Sequence, residues 1–92
     1  MINAKIKEGR RFYCDQYKQK KFALMLEGQT LEVLNPIGED KYRCSVVNPS
    51  LKCIDHGGFE GMKVEIYAED MDISSEALCL VLLWSYMTKC SS

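Results

Sequence analysis

Two residues able to bind a metal ion lie close together near the middle of the chain. Cys53 and His56 are spaced as C-x-x-H, which lets two ligands from one turn reach a tetrahedral zinc ion. Completing such a site would require Cys14 or Cys44 to approach from elsewhere, and neither belongs to a second close pair. We therefore expect a buried thiol beside a loop histidine, with no bound metal and no cofactor.

The same segment contains the best candidates in the sequence for a nucleophile and its general base. A reactive thiol needs a base within reach and an acid to orient that base, and His56 stands next to Asp55 with Cys53 nearby. On a strand, adjacent side chains point to opposite faces, so Asp55 would be poorly placed to orient His56. We predict no catalytic residues and expect that the protein is not an enzyme.

A basic and aromatic segment, "RRFYCDQYKQKKF", could bind nucleic acid. Residues 1 to 22 contain seven basic and two acidic residues, while the rest of the chain contains five basic and eleven acidic residues. Basic side chains can hold phosphates while aromatic rings stack on bases. The alternative is a solvated loop whose aromatic side chains fill the core. The candidate nucleic-acid contacts are Arg10, Arg11, Tyr13, Tyr17, Lys18, Lys20 and Lys21.

The first half of the chain shows strand periodicity in two places. Residues 2 to 7 alternate apolar and polar side chains, which predicts a strand with one buried face. An irregular loop or hairpin is expected from there to residue 22. A strand over residues 30 to 34 should stop before Pro36, because proline cannot donate to a ladder, and the turn "NPIGED" should lead into "KYRCSVVN" as a hairpin.

The second half predicts another hairpin and then a helical turn. The segments "LKCI" and "MKVEIY" are expected to be its strands, with the glycines of "DHGGFEG" serving a turn or bulge between them. "AEDMDI" predicts a single helical turn before the C-terminal segment.

The C-terminal segment predicts a helix over residues 74 to 90. Ser74 is a favourable N-cap, and the eight apolar residues from Ala77 to Trp84 are too few to span a membrane. One wide arc, broken only by Glu76, is the expected core face; it comprises Cys79, Leu80, Leu83, Trp84, Tyr86, Met87 and Cys90. The opposite side still carries three large apolar residues among polar ones, and a helix that is apolar nearly all round is usually buried on more than one side. The residues expected there at a protein interface are Leu78, Val81, Leu82, Ser85 and Lys89. The alternative is that the N-terminal loop covers this side.

Strand spacing and length predict one small domain over residues 1 to 92, with a β-rich part to residue 73 and the helix after it. The order of strand, hairpin, strand and short helical turn in residues 28 to 73 resembles that of SH3-like small barrels. We therefore expect an α+β fold that is mainly β, either an antiparallel SH3-like barrel or a bent sheet of five to six strands, with one C-terminal α-helix.

The SH3-like resemblance implies a binding module, since such domains usually bind peptides, proteins or nucleic acids without catalysing a reaction. An odd number of cysteines and no recognisable signal peptide favour a reducing cytoplasm. We expect a protein interaction module, a small regulator or inhibitor of bacterial or phage type, whose partner is a larger protein or a second copy of the chain as a homodimer. Nucleic-acid binding is the alternative, and no membrane partner is expected.

Overall fold

A computed structural model describes residues 2–15 and 22–91, with side chains up to Met87. These residues form seven strands and two helices. The strands are β1 (Ile2–Ile6), β2 (Arg11–Asp15), β3 (Phe22–Leu26), β4 (Thr30–Gly38), β5 (Lys41–Val47), β6 (Lys63–Tyr67) and β7 (Met71–Asp72). The helices are α1 (Leu51–Asp55) and α2 (Ser75–Ser91), and a 3₁₀ turn covers Ala68–Asp70.

Five of these strands form a curled antiparallel sheet in the spatial order β6-β5-β4-β1-β7. The hairpin of β4 and β5 lies at its centre, with β1 pairing the other edge of β4 and β7 pairing β1. β2 and β3 form a separate hairpin that lies against the sheet, where the Cys14 thiol donates to the Glu65 carbonyl oxygen at 3.7 Å. The expected fold class is confirmed: mainly β, with one C-terminal helix.

The core fills the space between the curled sheet and the β2–β3 hairpin. Alternate residues of the strands point inward, as the period of two requires. The fully buried side chains include Ile6, Met25, Leu31, Cys44, Val46, Met62, Val64, Ile66 and Met71. This inward face corresponds to the alternation seen in the sequence of β1, β5 and β6.

β4 does not end before Pro36, so that prediction was wrong. The strand continues to Gly38, and Pro36 is paired with Tyr42 of β5. The register shifts between Val33 and Asn35 and again between Pro36 and Gly38. Such irregularities are where a strand tolerates a proline, because the regular ladder is already interrupted there.

The segment "LKCI" is helical, not a strand, and the second hairpin predicted with it is absent. Its helix α1 has Ser50 as N-cap, whose Oγ accepts from the Cys53 N–H at 3.1 Å. It ends in a Schellman motif in which the N–H of Gly57 donates to the Ile54 carbonyl at 3.0 Å and that of Gly58 to the Cys53 carbonyl at 2.7 Å. Gly57 has a positive φ of 86°. The glycines therefore end a helix, and β6 pairs with β5 instead.

A buried glutamine fixes the loop that leads into α1. The Gln29 Nε2 donates to the carbonyl oxygens of Val47 at 3.0 Å and Asn48 at 3.3 Å, while its Oε1 accepts from the Ser50 N–H at 3.2 Å. Gln29 itself is buried. One side chain thus ties the start of β4 to the end of β5 and to the N-cap of α1.

Helix α2 begins as predicted. The Ser74 Oγ accepts from the Ala77 N–H at 3.1 Å, which satisfies one of the backbone donors left free at a helix start. The helix packs on β4. In residues 2–15 and 22–91, no helix is both long enough and apolar enough to cross a lipid bilayer.

Candidate functional site

The orientation of α2 is the reverse of the one predicted. Val81 is 3% exposed and contacts the core, and Ala77, Leu78 and Ser85 beside it are half-buried. The arc that we expected to be the core face points to solvent instead. Leu82, which was expected on the opposite side, is exposed as well. We call the exposed side of α2 the outer face; its described residues are Cys79, Leu80, Leu82, Leu83, Trp84, Tyr86 and Met87.

Side-chain size explains why this orientation is adopted. Ala77, Val81 and Ser85 are spaced four residues apart, so they lie on one face of the helix. These are smaller than the leucines and aromatic residues elsewhere on α2, and they let the helix approach β4 closely. A signal for the orientation was therefore present in the sequence as a stripe of smaller residues, and the greater hydrophobicity of the other arc concealed it.

The five predicted interface residues divide into three groups. Val81 is buried inside the chain, so it cannot contact a partner, and Leu78 and Ser85 are half-buried on the same side. Leu82 is exposed and belongs to the outer face. The side chain of Lys89 lies outside the described residues. Of the predicted residues whose side chains are described, Leu82 is the exposed one, and an interface on α2 stays a prediction.

An open apolar groove runs along one side of the outer face. It has a volume of about 460 Å³ and is lined by Ile2 of β1 together with Leu80, Leu83, Trp84 and Met87 of α2. A smaller cavity of about 200 Å³ shares Ile2 and Trp84 with the groove and is also lined by Val33 and Leu34 of β4. Nothing local in the sequence indicated that Ile2 would meet α2, because this contact depends on where the sheet places β1.

The outer face carries no charge between Ala77 and Met87, and Glu76 stands at the N-terminal end of the same arc. From Ala77 to Met87 the sequence contains no Asp, Glu, Lys or Arg. The centres of protein interfaces are likewise depleted of charged residues and enriched in Trp, Tyr and Met. Contiguous exposed apolar patches of this kind are uncommon on proteins that act alone, and they mark contact surfaces.

The predicted nucleic-acid segment is described only in part. The Arg10 Nη1 lies 3.3 Å from the Asp70 Oδ1, so this cation is already paired with a carboxylate. Arg11 is exposed on β2, and the ring of Tyr13 meets that of His56 edge to face with centroids 5.9 Å apart. Tyr17, Lys18, Lys20 and Lys21 lie outside the described residues. Nucleic-acid binding therefore stays a prediction.

Cys53 and His56 occupy different environments. Cys53 is fully buried in α1, where burial raises its pKa and keeps the thiol protonated at neutral pH. His56 is the exposed C-cap of α1 and its ring packs on Tyr13. Within residues 2–15 and 22–91, no three His, Cys, Asp or Glu side chains are grouped as a metal site requires.

No protein-family model, curated protein or solved structure matches the chain. The arrangement of the described residues is thus the basis for assigning a role, and its most distinctive feature is the outer face of α2.

Proposed function

We propose that this chain is a non-enzymatic protein interaction module that binds its partner through the outer face of α2. The observation that supports this proposal is the contiguous, uncharged and apolar surface that α2 presents to solvent beside the groove at Ile2. As a small regulator or inhibitor, the module would act by occupying a surface of its partner. The rest of the fold holds the helix in place.

The energetics favour coverage of this face by protein. Burying a leucine or aromatic side chain fully contributes about 1.5 to 3 kcal/mol relative to leaving it in water. The ordering and association costs of binding oppose this gain. Trp84 is the natural anchor, because it is 61% exposed, lines the groove, and belongs to the residue type most enriched in binding hot spots.

The buried cysteines are consistent with a binding role in a reducing cytoplasm. Burial raises the pKa of Cys14 and of Cys44 to about 12, so neither provides a thiolate nucleophile near neutral pH. Both are free thiols within the core. The cytoplasmic location expected from the sequence remains part of the proposal.

Photo-crosslinking tests the proposal directly. The photoreactive amino acid p-benzoylphenylalanine is placed at position 86 on the outer face or, as a control, at position 51, where Leu51 is 80% exposed on α1. The protein is produced at its natural level in its own cells and then irradiated. We expect a protein adduct from position 86 that Leu83→Glu abolishes, and no adduct from position 51. Equal adduct yields at both positions, or none at position 86, would overturn the proposal.

Salt concentration separates this function from nucleic-acid binding. Neutralising phosphates with Lys and Arg releases counterions, so such binding weakens steeply as salt rises. An uncharged apolar interface has no contacts between cations and phosphates, so rising salt does not weaken it in this way. We expect the position 86 adduct to form as efficiently in purified complex at 500 mM as at 50 mM sodium chloride, whereas loss of the adduct at high salt would favour the basic segment.

A further inference from the structure

We propose that the partner of the outer face is a second copy of this chain, and that the two α2 helices pair antiparallel about a two-fold axis at Leu83. This inference rests on the proposed function, because it names the protein that covers the same surface.

The absence of charge makes the outer face compatible with itself. A patch that carried charges of one sign would repel its own copy, and a patch with a fixed charge pattern would select a complementary partner. Between Ala77 and Met87 the helix carries neither. Two copies can therefore meet along this length without like-charge repulsion and without burying an unpaired ion.

The position of Leu83 sets the axis. It is the middle residue of the stretch from Cys79 to Met87, and at about 100° per residue it also lies at the middle of the exposed arc. In an isologous pair, the axis passes through the centre of the shared patch. Leu83 would then meet the partner's Leu83, and Cys79 would lie at the level of the partner's Met87.

The groove lies on one flank of the pairing surface, and Tyr86 lies on the other. Leu80, Leu83, Trp84 and Met87 line the groove together with Ile2. Tyr86 stands outside the groove on the exposed side of α2. Antiparallel pairing about a two-fold axis at Leu83 sets each flank against the same flank of the partner, so the two grooves meet on one side of the pair and the two Tyr86 rings meet on the other.

The helix ends favour the antiparallel direction. Glu76 lies in the first turn of α2, and the sequence places Lys89 in the last. Antiparallel helices bring the acidic end of one beside the basic end of the other, and their dipoles oppose each other favourably. Parallel pairing would place Glu76 beside the partner's Glu76.

The exposed area is of the size that a dimer needs. The six largest side chains of the outer face are each about half exposed, and together they offer roughly 600 to 700 Å² per chain. A stable interface of standard size buries about 800 Å² per partner, which Ile2 and Leu34 beside the groove could complete.

Molar mass in solution tests the dimer. Light scattering behind a size-exclusion column should give about twice the chain mass of 10.6 kDa for the wild type. Leu83→Glu should give a folded monomer, and Leu51→Glu, the matched change on an exposed leucine of α1, should leave the dimer intact. A monomeric wild type at 100 µM, or a dimer that survives Leu83→Glu, would overturn the inference.

The crosslinking experiment keeps the two proposals apart. An adduct at position 86 that contains only this chain supports both. An adduct that contains a different protein sustains the proposed function and overturns the second copy as partner. Absence of any adduct at position 86 overturns both proposals.

A distance between two spin labels tests the direction. Ser75→Cys is labelled after Cys79→Ser and Cys90→Ser, since Cys14, Cys44 and Cys53 are buried. In the antiparallel pair, the two Cα atoms at position 75 should lie roughly 25 Å apart, compared with about 9 Å in a parallel pair. The shorter distance would overturn the antiparallel arrangement, and Leu83→Glu should abolish either signal.

Discussion

Val81 and Tyr86 lie on opposite sides of α2, one 3% and the other 66% exposed. This contrast predicts opposite responses to truncation when both are measured in the Leu83→Glu background, which removes any contribution from pairing. Val81→Ala should lower the free energy of unfolding by about 1 to 2.5 kcal/mol, because it empties a packed site. Tyr86→Ala should change it by less than about 0.5 kcal/mol. Urea titration followed by circular dichroism measures both, and similar losses would contradict the orientation of the helix.

Gly58 is predicted to tolerate no side chain. A Cβ at this position would collide with the Cys53 sulfur and lie 2.7 Å from the Cys53 carbonyl oxygen. Gly58→Ala should therefore cost about 3 kcal/mol or more, because the end of α1 must move. Gly61→Ala is the control. Gly61 has a positive φ of 84°, and nothing lies within 4 Å of the position its Cβ would take. The substitution therefore adds backbone strain without a collision and should cost only about 1 to 2 kcal/mol. Equal costs in thermal or urea unfolding would mean that α1 does not end as described.

Gln29 is predicted to be the most sensitive polar residue of the described core. Gln29→Leu leaves two backbone carbonyls and the Ser50 N–H without their partner, which should lower the free energy of unfolding by about 2 to 4 kcal/mol. Asn3→Leu makes the same kind of change at an exposed position of β1 and should cost less than about 0.5 kcal/mol. Hydrogen exchange adds a local readout, since the Cys53 amide at the start of α1 should exchange faster in Gln29→Leu. Wild-type stability in that variant would refute the prediction.

The buried thiols predict a loss of stability in alkali. Burial raises the pKa of Cys14 and Cys44 from 9.0 to about 12, so the folded protein retains protons that the unfolded chain releases above pH 9. Their stabilising contribution is complete below pH 9 and falls as pH rises toward 12, by about 1.4 kcal/mol per pH unit for each cysteine.

Cys44→Ala isolates this effect. Urea titrations at pH 8.5, 9.5 and 10.5 should show that stability falls less steeply with pH in the variant than in the wild type, by about 1.4 kcal/mol per pH unit. Other titrating groups are common to both proteins and cancel in the comparison. Parallel pH profiles would show that Cys44 is accessible to solvent in the folded state.

Strand periodicity predicted the sheet well, and the failures have physical causes. Alternation located β1, β5 and β6, because each has one face in the core and one in solvent. Four residues of "LKCI" are too few to distinguish a period of 2 from one of 3.6, but Ser50 and Gly57 at its two ends were signals of a short helix.

The site was harder to predict than the fold. A helix that is apolar nearly all round has little periodicity to indicate its buried face, so α2 was correctly predicted as a helix with the wrong side inward. The stripe of Ala77, Val81 and Ser85 was the better indicator. The groove beside Ile2 depends on a contact between the two ends of the described chain, which no local pattern encodes.

The uncharged outer face also determines how far assembly can proceed. An isologous pair uses the outer face of α2 on both copies, so the contact closes on itself. After two copies have met, the outer face of each is covered by the other and is no longer open to a third copy. The outer face would therefore make a single chain prone to aggregation, and the same face would limit assembly to a dimer.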